Sequence, residues 1–528
     1  MVVSAHPLAT QVGVDILKLG GNAIDAAVAV AFALEVVLPD AGNIGGGGFI
    51  VHRTASGEVT ALDYREAAPA AATHDMFVDS AGNPTKHSEV GHLASGVPGS
   101  VAGLHAAWQK YGTLPWATLI APAIRLAQGH LVDSARSRDI ASDRELLAGF
   151  PASREQFLVH DSAPPPGMMW RQPDLVRTLQ LISDSGPDVF YRGQIADLIV
   201  AEMQRGGGLI TKDDLRRYRA KWRTPIALSY RGHTIYSMPP PSSGGVTMGE
   251  ILNILEGYDT LPAFGSAAYV HVVTEAMRRA FIDRNRWLGD PDFVDMPLDR
   301  LLSKSYAATL RSQIDPKHAT PTPPQAGGGG GGGEPMHTTH YSIVDSQGNA
   351  AAVTTTLNGG FGSGVTVTGA GFLLNNEMDD FASAPGKPNM YGLVQGEANA
   401  VAGNKRMLSA MTPSIVLDSE GSLEMVVGTP GGPTIITSVT QVILNVLDQK
   451  MSLADAVAAP RIHHQALPDQ TYYENGGLSD ATVRALQAMG HKMDERRGRS
   501  GIIAAIQKTA GGWVGVADPR YAGGALGY

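Results

Sequence analysis

The feature that most constrains this chain is a run of seven consecutive glycines, Gly327–Gly333, inside Pro321–Gly333, which also holds three prolines. Glycine loses more conformational freedom on folding than any other residue, so such a run is poor material for a helix or a strand. It predicts a flexible, unpacked passage with the ordered elements on either side.

The pattern differs across that passage. Before it, helical spacing predicts helices over Leu8–Leu19, Asn22 to about Val37, Val101–Tyr111, Trp116–Gln128, Pro173–Ser183, Ala196–Arg205 and Ala267–Leu288. Gly20-Gly21 reads as the stop of the first helix, and the Ala-rich second helix reads as closely packed. A short strand is predicted at Phe49–Arg53, after the turn-rich Pro39–Gly48, and one strand-like patch at Ala227–Met238. Beyond the glycines, strands are predicted at His340–Asp345 and Ala350–Leu357, joined by a turn over Ser346–Asn349. Further strands follow at Ser414–Leu417, Leu423–Val427 and Ile502–Gln507, with helices at Thr434–Gln449 and Leu453–Ala459. Two domains on a linker, or one layered domain carrying a processing loop, both fit this division.

Composition removes several function classes. The 528 residues contain no cysteine, which excludes disulfides, thiolate metal sites and a catalytic thiol. A formal charge of −9 leaves no basic footprint for nucleic acid. The apolar stretch Ala26–Leu34 is far shorter than the ~20 residues a membrane span needs. The opening MVVSAHPLATQ has no basic start followed by an apolar run, and reads as the interior of a longer protein. His463 and His464 are adjacent, so their side chains do not naturally converge on one ion, and no HExxH is present. Gly45–Gly48 lacks both the Lys-Ser/Thr of a phosphate loop and dinucleotide spacing, and reads as a place where backbones pass closely. No metal and no cofactor are called for.

The stretch His337–Ser342 taken alone simply begins a strand. Its threonines also permit chemistry. A hydroxyl is a poor nucleophile until a base takes its proton, and a free α-amino group with a pKa of ~8 on the same residue can do so. That amine exists only if the preceding peptide bond is broken. Attack of the Thr338 hydroxyl on the His337 carbonyl would give an ester that water cleaves.

Thr338-Thr339-His340-Tyr341-Ser342-Ile343-Val344-Asp345, Gly348-Asn349, Thr354-x-Thr356-Leu357-Asn358 and Phe361-Gly362 together resemble the γ-glutamyltranspeptidase signature. Gly42–Phe49, Asp63–Glu66, His92–Gly96, Pro239–Gly245, Leu373–Phe381, Gly428–Gly432 and the end Asp518–Arg520…Gly527-Tyr528 are similar to family blocks in family order. The resemblance spans essentially the whole chain.

It implies an α+β, four-layer αββα N-terminal-nucleophile hydrolase fold, with two stacked, largely antiparallel sheets between helical layers. The precursor would divide into a large portion, 1–337, and a small catalytic portion, 338–528, associated as one structural domain. Thr338 matches the nucleophile, and Thr356 the threonine that steadies it. Arg65 matches the grip on the substrate α-carboxylate, which a guanidinium fork suits, although a loop arginine is more often a solvated surface residue. Asp380 matches the partner of the α-ammonium, and Asn358 and Glu377 match further contacts to the amino-acid head. The plain alternative for Asp379-Asp380 is an exposed turn or helix start. Ser409 matches a serine beside the carboxylate, Gly431 and Gly432 the oxyanion hole, and Tyr391, within Phe381–Gly396, a lid.

Four positions depart from the family pattern: Ala410 where a second serine is common, Pro433 where a small polar residue is frequent, and Gly359-Gly360 where a Thr pair is common. The implied activity is transfer of a γ-glutamyl group from glutathione or a related amide to water or to an amino-acid or peptide amine. An acylase of the cephalosporin or glutaryl type, which Ala410 keeps open, and an unprocessed non-catalytic homologue are the alternatives. The resemblance further implies a periplasmic or secreted protein.

Overall fold

The structure, a computed structural model, describes residues 1–323, 338–496 and 500–528. The glycine run and His337 lie outside the described residues.

Among the described residues, two large sheets are built from strands β1 (Val2–Ser4), β2 (Gly47–Arg53), β3 (Val59–Asp63), β4 (Lys221–Arg223), β5 (Ile226–Tyr230), β6 (His233–Ser237), β7 (Thr338–Val344), β8 (Ala350–Thr356), β9 (Ser414–Leu417), β10 (Leu423–Gly428), β11 (Ala504–Thr509), β12 (Gly512–Ala517) and β13 (Gly524–Leu526). The first sheet runs β13-β1-β7-β8-β2-β3-β4 and the second β12-β11-β10-β9-β6-β5. Neighbours in both pair antiparallel. Each sheet interleaves strands from before and after the glycine run, so their ladders join the two portions of the chain.

Side-chain alternation builds the layers. On β7 and β8, Tyr341, Ile343, Ala351 and Val353 face one way, into a core shared with helices α1 (Pro7–Lys18), α2 (Ala23–Val37), α3 (Ser100–Tyr111) and α4 (Trp116–Gln128). Val344, Ala350 and Ala352 face the other way, against Ile415, Val426 and Ile506 of the second sheet. The far face of that sheet, through Val416, Met425 and Val427, packs on α5 (Gly244–Glu256), α6 (Ala267–Trp287) and α7 (Thr434–Leu447). The result is helix, sheet, sheet, helix.

Local chemistry sets the boundaries. Asn22 caps α2 in a reciprocal box with Asp25, and α2 is buried on every side, which its Ala-rich sequence allows. The β7–β8 turn is held by Asp345, whose carboxylate accepts from the backbone N–H groups of Gln347 and Asn349, with Gly348 at φ +90°.

One expectation is corrected. Ala227–Met238 is not a single strand but the hairpin β5–β6, turned at Arg231 and Gly232 with φ of +50° and +83°. Arginine is an unusual residue for such a turn. Its side chain reaches Asp448 at 3.0 Å and the Tyr258 carbonyl at 2.7 Å, contacts no local pattern reveals.

Candidate active site

Thr338 opens β7 at the middle of the first sheet, directly opposite Thr356 on β8. Both are buried, and their hydroxyl oxygens are 3.1 Å apart. Thr356 Oγ1 also accepts from the Asn358 backbone N–H at 2.8 Å, so the chain reverses tightly beside it. Asn358 has φ +78°, a conformation asparagine tolerates better than most residues.

The stretch Gly45–Gly48 fits the reading of close backbone passage. A Cβ on Gly45 would sit 1.9 Å from the Leu373 carbonyl oxygen, and one on Gly46 2.1 Å from that of Thr356. Only glycine lets these backbones meet behind the threonine pair.

Arg65 follows β3 and is fully buried. Its fork donates to the carboxylates of Glu377 and Asp380, its Nε to the Met407 carbonyl at 3.2 Å, and Glu66 lies 3.6 Å away. Burial alone would lower the guanidinium pKa, but the three acids more than offset this and raise it. Burial pushes Glu66 up to about 7 against the pull of Arg65, and raises Glu377 and Asp380 as well. Asp379, the other half of the acid pair, points elsewhere. Its carboxylate accepts from Ser88 Oγ at 2.7 Å and the Met390 N–H at 3.0 Å, and burial pushes it up to about 7.

Ser409 Oγ accepts from the Met411 N–H at 3.1 Å, which leaves its own proton available to a ligand. Ala410 beside it contributes no side-chain donor. Gly431 and Gly432, with φ of +132° and +53°, sit just ahead of α7, whose N-terminus favours negative charge. Pro433 occupies the N-cap of that helix. The Tyr391 hydroxyl donates toward Asn358 Oδ1 at 2.7 Å, and its ring lies 3.0 Å from where a Cβ of Gly432 would be.

Thr338, Thr356, Arg65, Asn358, Glu377, Asp380, Tyr391, Ser409 and Gly432 therefore line one pocket. Gly431 is adjacent to it in sequence but is not among its lining residues. His337 lies outside the described residues. Arg284 of α6 also lines the pocket and was missed by the sequence reading. The only local signal was its place in a charged helical stretch, Arg278–Arg286, which alone reads as a solvated face.

The histidines have specific partners. His463 meets Thr437 and Gln465, His464 lies 3.4 Å from Asp469, and His340 is held by Thr354 and Ser342. Among the described residues, His271, Glu275 and His491 bring ligating atoms within 4.8 Å of one another. Glu275 there is already bonded to Arg278, Arg279 and the Thr320 N–H, and His271 Nδ1 to His491 at 2.8 Å. Two guanidiniums beside the carboxylate oppose a further cation.

The γ-glutamyltranspeptidase family model matches residues 9–528. The chain is 48% identical over 524 residues to the glutathione hydrolase proenzyme of Escherichia coli (strain K12), covering 98% of this chain and 90% of that protein. It is 47% identical over 542 residues to the glutathione hydrolase proenzyme of Pseudomonas sp. (strain A14), covering 100% and 94%. Among solved structures, a cephalosporin acylase from Bacillus halodurans superposes with a TM-score of 0.88 at 29% identity, over 100% of this chain and 96% of that one. The αββα layering is that of an N-terminal-nucleophile hydrolase, and by sequence and fold together the chain belongs to the γ-glutamyltranspeptidase family.

Proposed function

We propose that this protein is a self-processing γ-glutamyltransferase and glutathione hydrolase whose nucleophile is Thr338. The single observation that carries the reading is the pocket itself. A buried threonine with a second hydroxyl 3.1 Å away stands in the same pocket as an arginine and acids suited to an amino-acid head.

The steps follow from the groups available. In the precursor, Thr338 Oγ1 attacks the His337 carbonyl carbon. The C–N bond breaks, the threonine nitrogen takes a proton, and water hydrolyses the resulting ester. This would yield portions 1–337 and 338–528, joined by the interleaved ladders. In the mature protein, the new α-amine takes the Oγ1 proton as Oγ1 attacks the substrate γ-carbonyl. The backbone N–H groups of Gly431 and Gly432 stabilise the oxyanion, helped by the positive end of α7. The amine returns its proton to the leaving nitrogen, and the γ-glutamyl ester remains on Thr338. Water or an acceptor amine then attacks that ester by the same proton path. Arg65 and Ser409 bind the α-carboxylate, Asp380, Glu377 and Asn358 the α-ammonium, and Tyr391 covers the reacting centre. Of these two donors to the α-carboxylate, Ser409 has a proton to give at once. Arg65, bonded to two acids, offers its field and shares its donors.

The test pairs intact-mass measurement of the purified protein with a γ-glutamyl p-nitroanilide assay. Two fragments meeting between His337 and Thr338, with release of nitroaniline, are expected. A single full-length species that releases nitroaniline would refute the mechanism. Ala410, which removes one hydroxyl from the carboxylate side, supports a second reading as an acylase that accepts glutaryl amides. Glutaryl p-nitroanilide as the better donor would favour it.

No helix among the described residues is long and apolar enough to cross a membrane. A periplasmic or secreted location remains part of this proposal, and cell fractionation tests it.

A further inference from the structure

The buried arginines of this fold share a habit. Arg136 is bridged to Asp139, Arg406 to Asp63 and Arg461 to Asp518. On α6, Arg278 and Arg279 both hold Glu275. Arg284 on the same helix is as deeply buried, yet among the described residues its hydrogen bonds go only to neutral groups: Ser243 Oγ at 3.2 Å, Asn285 Oδ1 at 3.0 Å and Gln395 Oε1 at 2.7 Å. Its Nη2 has no hydrogen-bond partner there, and the residue lines the pocket. A buried cation without an acid of its own is costly unless its field is used.

Its partners lead to both ends of the pocket. Ser243 donates through Oγ and N to the Ser409 carbonyl at 2.6 and 2.7 Å. Gln395 donates through Nε2 to the Asp380 carbonyl at 3.1 Å. One guanidinium thus ties the Ser409 turn to the Asp380 turn through a single side chain on each side.

We propose that Arg284 is a positioning residue for the substrate's amino-acid head: it spaces the Ser409 and Asp380 turns, and its unmatched charge keeps Asp380 in the carboxylate form that an α-ammonium requires. The inference rests on the function proposed above. Asp380 is bonded to Arg65 and feels the like charges of Glu66, Glu377 and Asp379, while burial works against its ionisation. Arg284 is a second cation whose charge favours that carboxylate, and burial lowers the Arg284 pKa to about 10 while Asp380 draws it back up. Removing the Arg284 charge therefore makes Asp380 easier to protonate. Below its pKa, Asp380 no longer holds an ammonium.

The experiment uses the mature enzyme and its Arg284→Gln and Arg284→Lys variants. KM is measured with γ-glutamyl p-nitroanilide, and inhibition by L-glutamate and by glutarate is followed from pH 4 to 8. Arg284→Gln is expected to raise KM about tenfold or more, the loss of a hydrogen-bonded charge, with a smaller change in kcat. Its affinity for L-glutamate should fail at a higher pH than in the wild type, while glutarate, which has no ammonium, shows no such displacement. Arg284→Lys, which keeps the charge and loses the fork, should raise KM but leave the pH of failure in place. Unchanged KM in both variants overturns the proposal. So does an equal fall of kcat and affinity with no displacement in pH, which is what a merely structural role gives. Should neither variant fold, Ser243→Ala and Gln395→Ala read the same tethers with the charge intact. A KM raised in each supports the proposal, and an unchanged KM in both overturns it. A wild-type enzyme that does not turn over the γ-glutamyl donor refutes the proposed function instead, so the two failures are distinct.

Discussion

Thr338 and Thr356 face each other across one antiparallel register pair, with their hydroxyl oxygens 3.1 Å apart in a buried site. The β7–β8 ladder sets that distance, so the second hydroxyl is aligned with the first by backbone hydrogen bonds rather than by a loop. Thr338→Ala should give one uncut chain with no transfer activity. Thr356→Ala should be cut more slowly and show kcat lowered about 10- to 100-fold, the range for losing a hydrogen bond to a reacting oxygen. Denaturing gels over time and steady-state rates check both. A rapidly cut Thr338→Ala protein would remove this threonine from the mechanism.

Arg65 holds three acids in the interior, so its removal does more than weaken substrate binding. Arg65→Ala leaves Glu66, Glu377 and Asp380 without their shared cation. Uncompensated buried charge costs about 3–5 kcal/mol when one partner is deleted, moderated here because the acids can take up protons. We expect a melting temperature several degrees below wild type at pH 8 and a smaller deficit at pH 5, together with a raised KM. Calorimetry at both pH values decides it; equal melting temperatures would mean the acids do not depend on Arg65.

Asp379 should make stability depend on pH. Its folded pKa of about 7 lies above the unfolded value, so the folded state binds the proton more tightly. That contribution is complete below about pH 4 and is lost as pH rises through about 7. Asp379→Asn cannot ionise. Its stability relative to wild type should improve between pH 4.5 and pH 8 by an amount on the order of 1–3 kcal/mol. A gap that stays constant with pH would contradict the assignment.

Gly432 cannot be replaced cheaply. Its φ of +53° disfavours a side chain, and a Cβ would press on the Tyr391 ring at 3.0 Å. Gly432→Ala should lower kcat by about 100-fold, comparable to losing one oxyanion donor, with KM changed less. Tyr391→Ala in the same chain should restore part of the rate by opening space. No recovery would mean the backbone angle, not the ring contact, is at fault.

Much of this protein is determined locally. The start of α2 at Asn22, the turn over Ser346–Asn349 and the strands on either side of it are set by neighbours within a few residues, so sequence alone predicts them. The threonine, arginine and acid that line the pocket were legible because their motifs are contiguous and specific. The tertiary structure decided what no local pattern carries. The three-residue strand β1 has too little sequence to announce itself, and it exists because β7 and β13 pair with its two edges. Arg231 takes a glycine-like turn because distant carbonyls and Asp448 hold its side chain. The family resemblance implies that Arg65 grips the substrate, and only the fold puts Glu377 and Asp380 on its fork. Arg284 is an ordinary charged helical residue until packing buries it without an acid and brings it to the pocket. Electrostatics and close packing depend on distances between residues far apart in the chain, and those distances do not exist until it has folded.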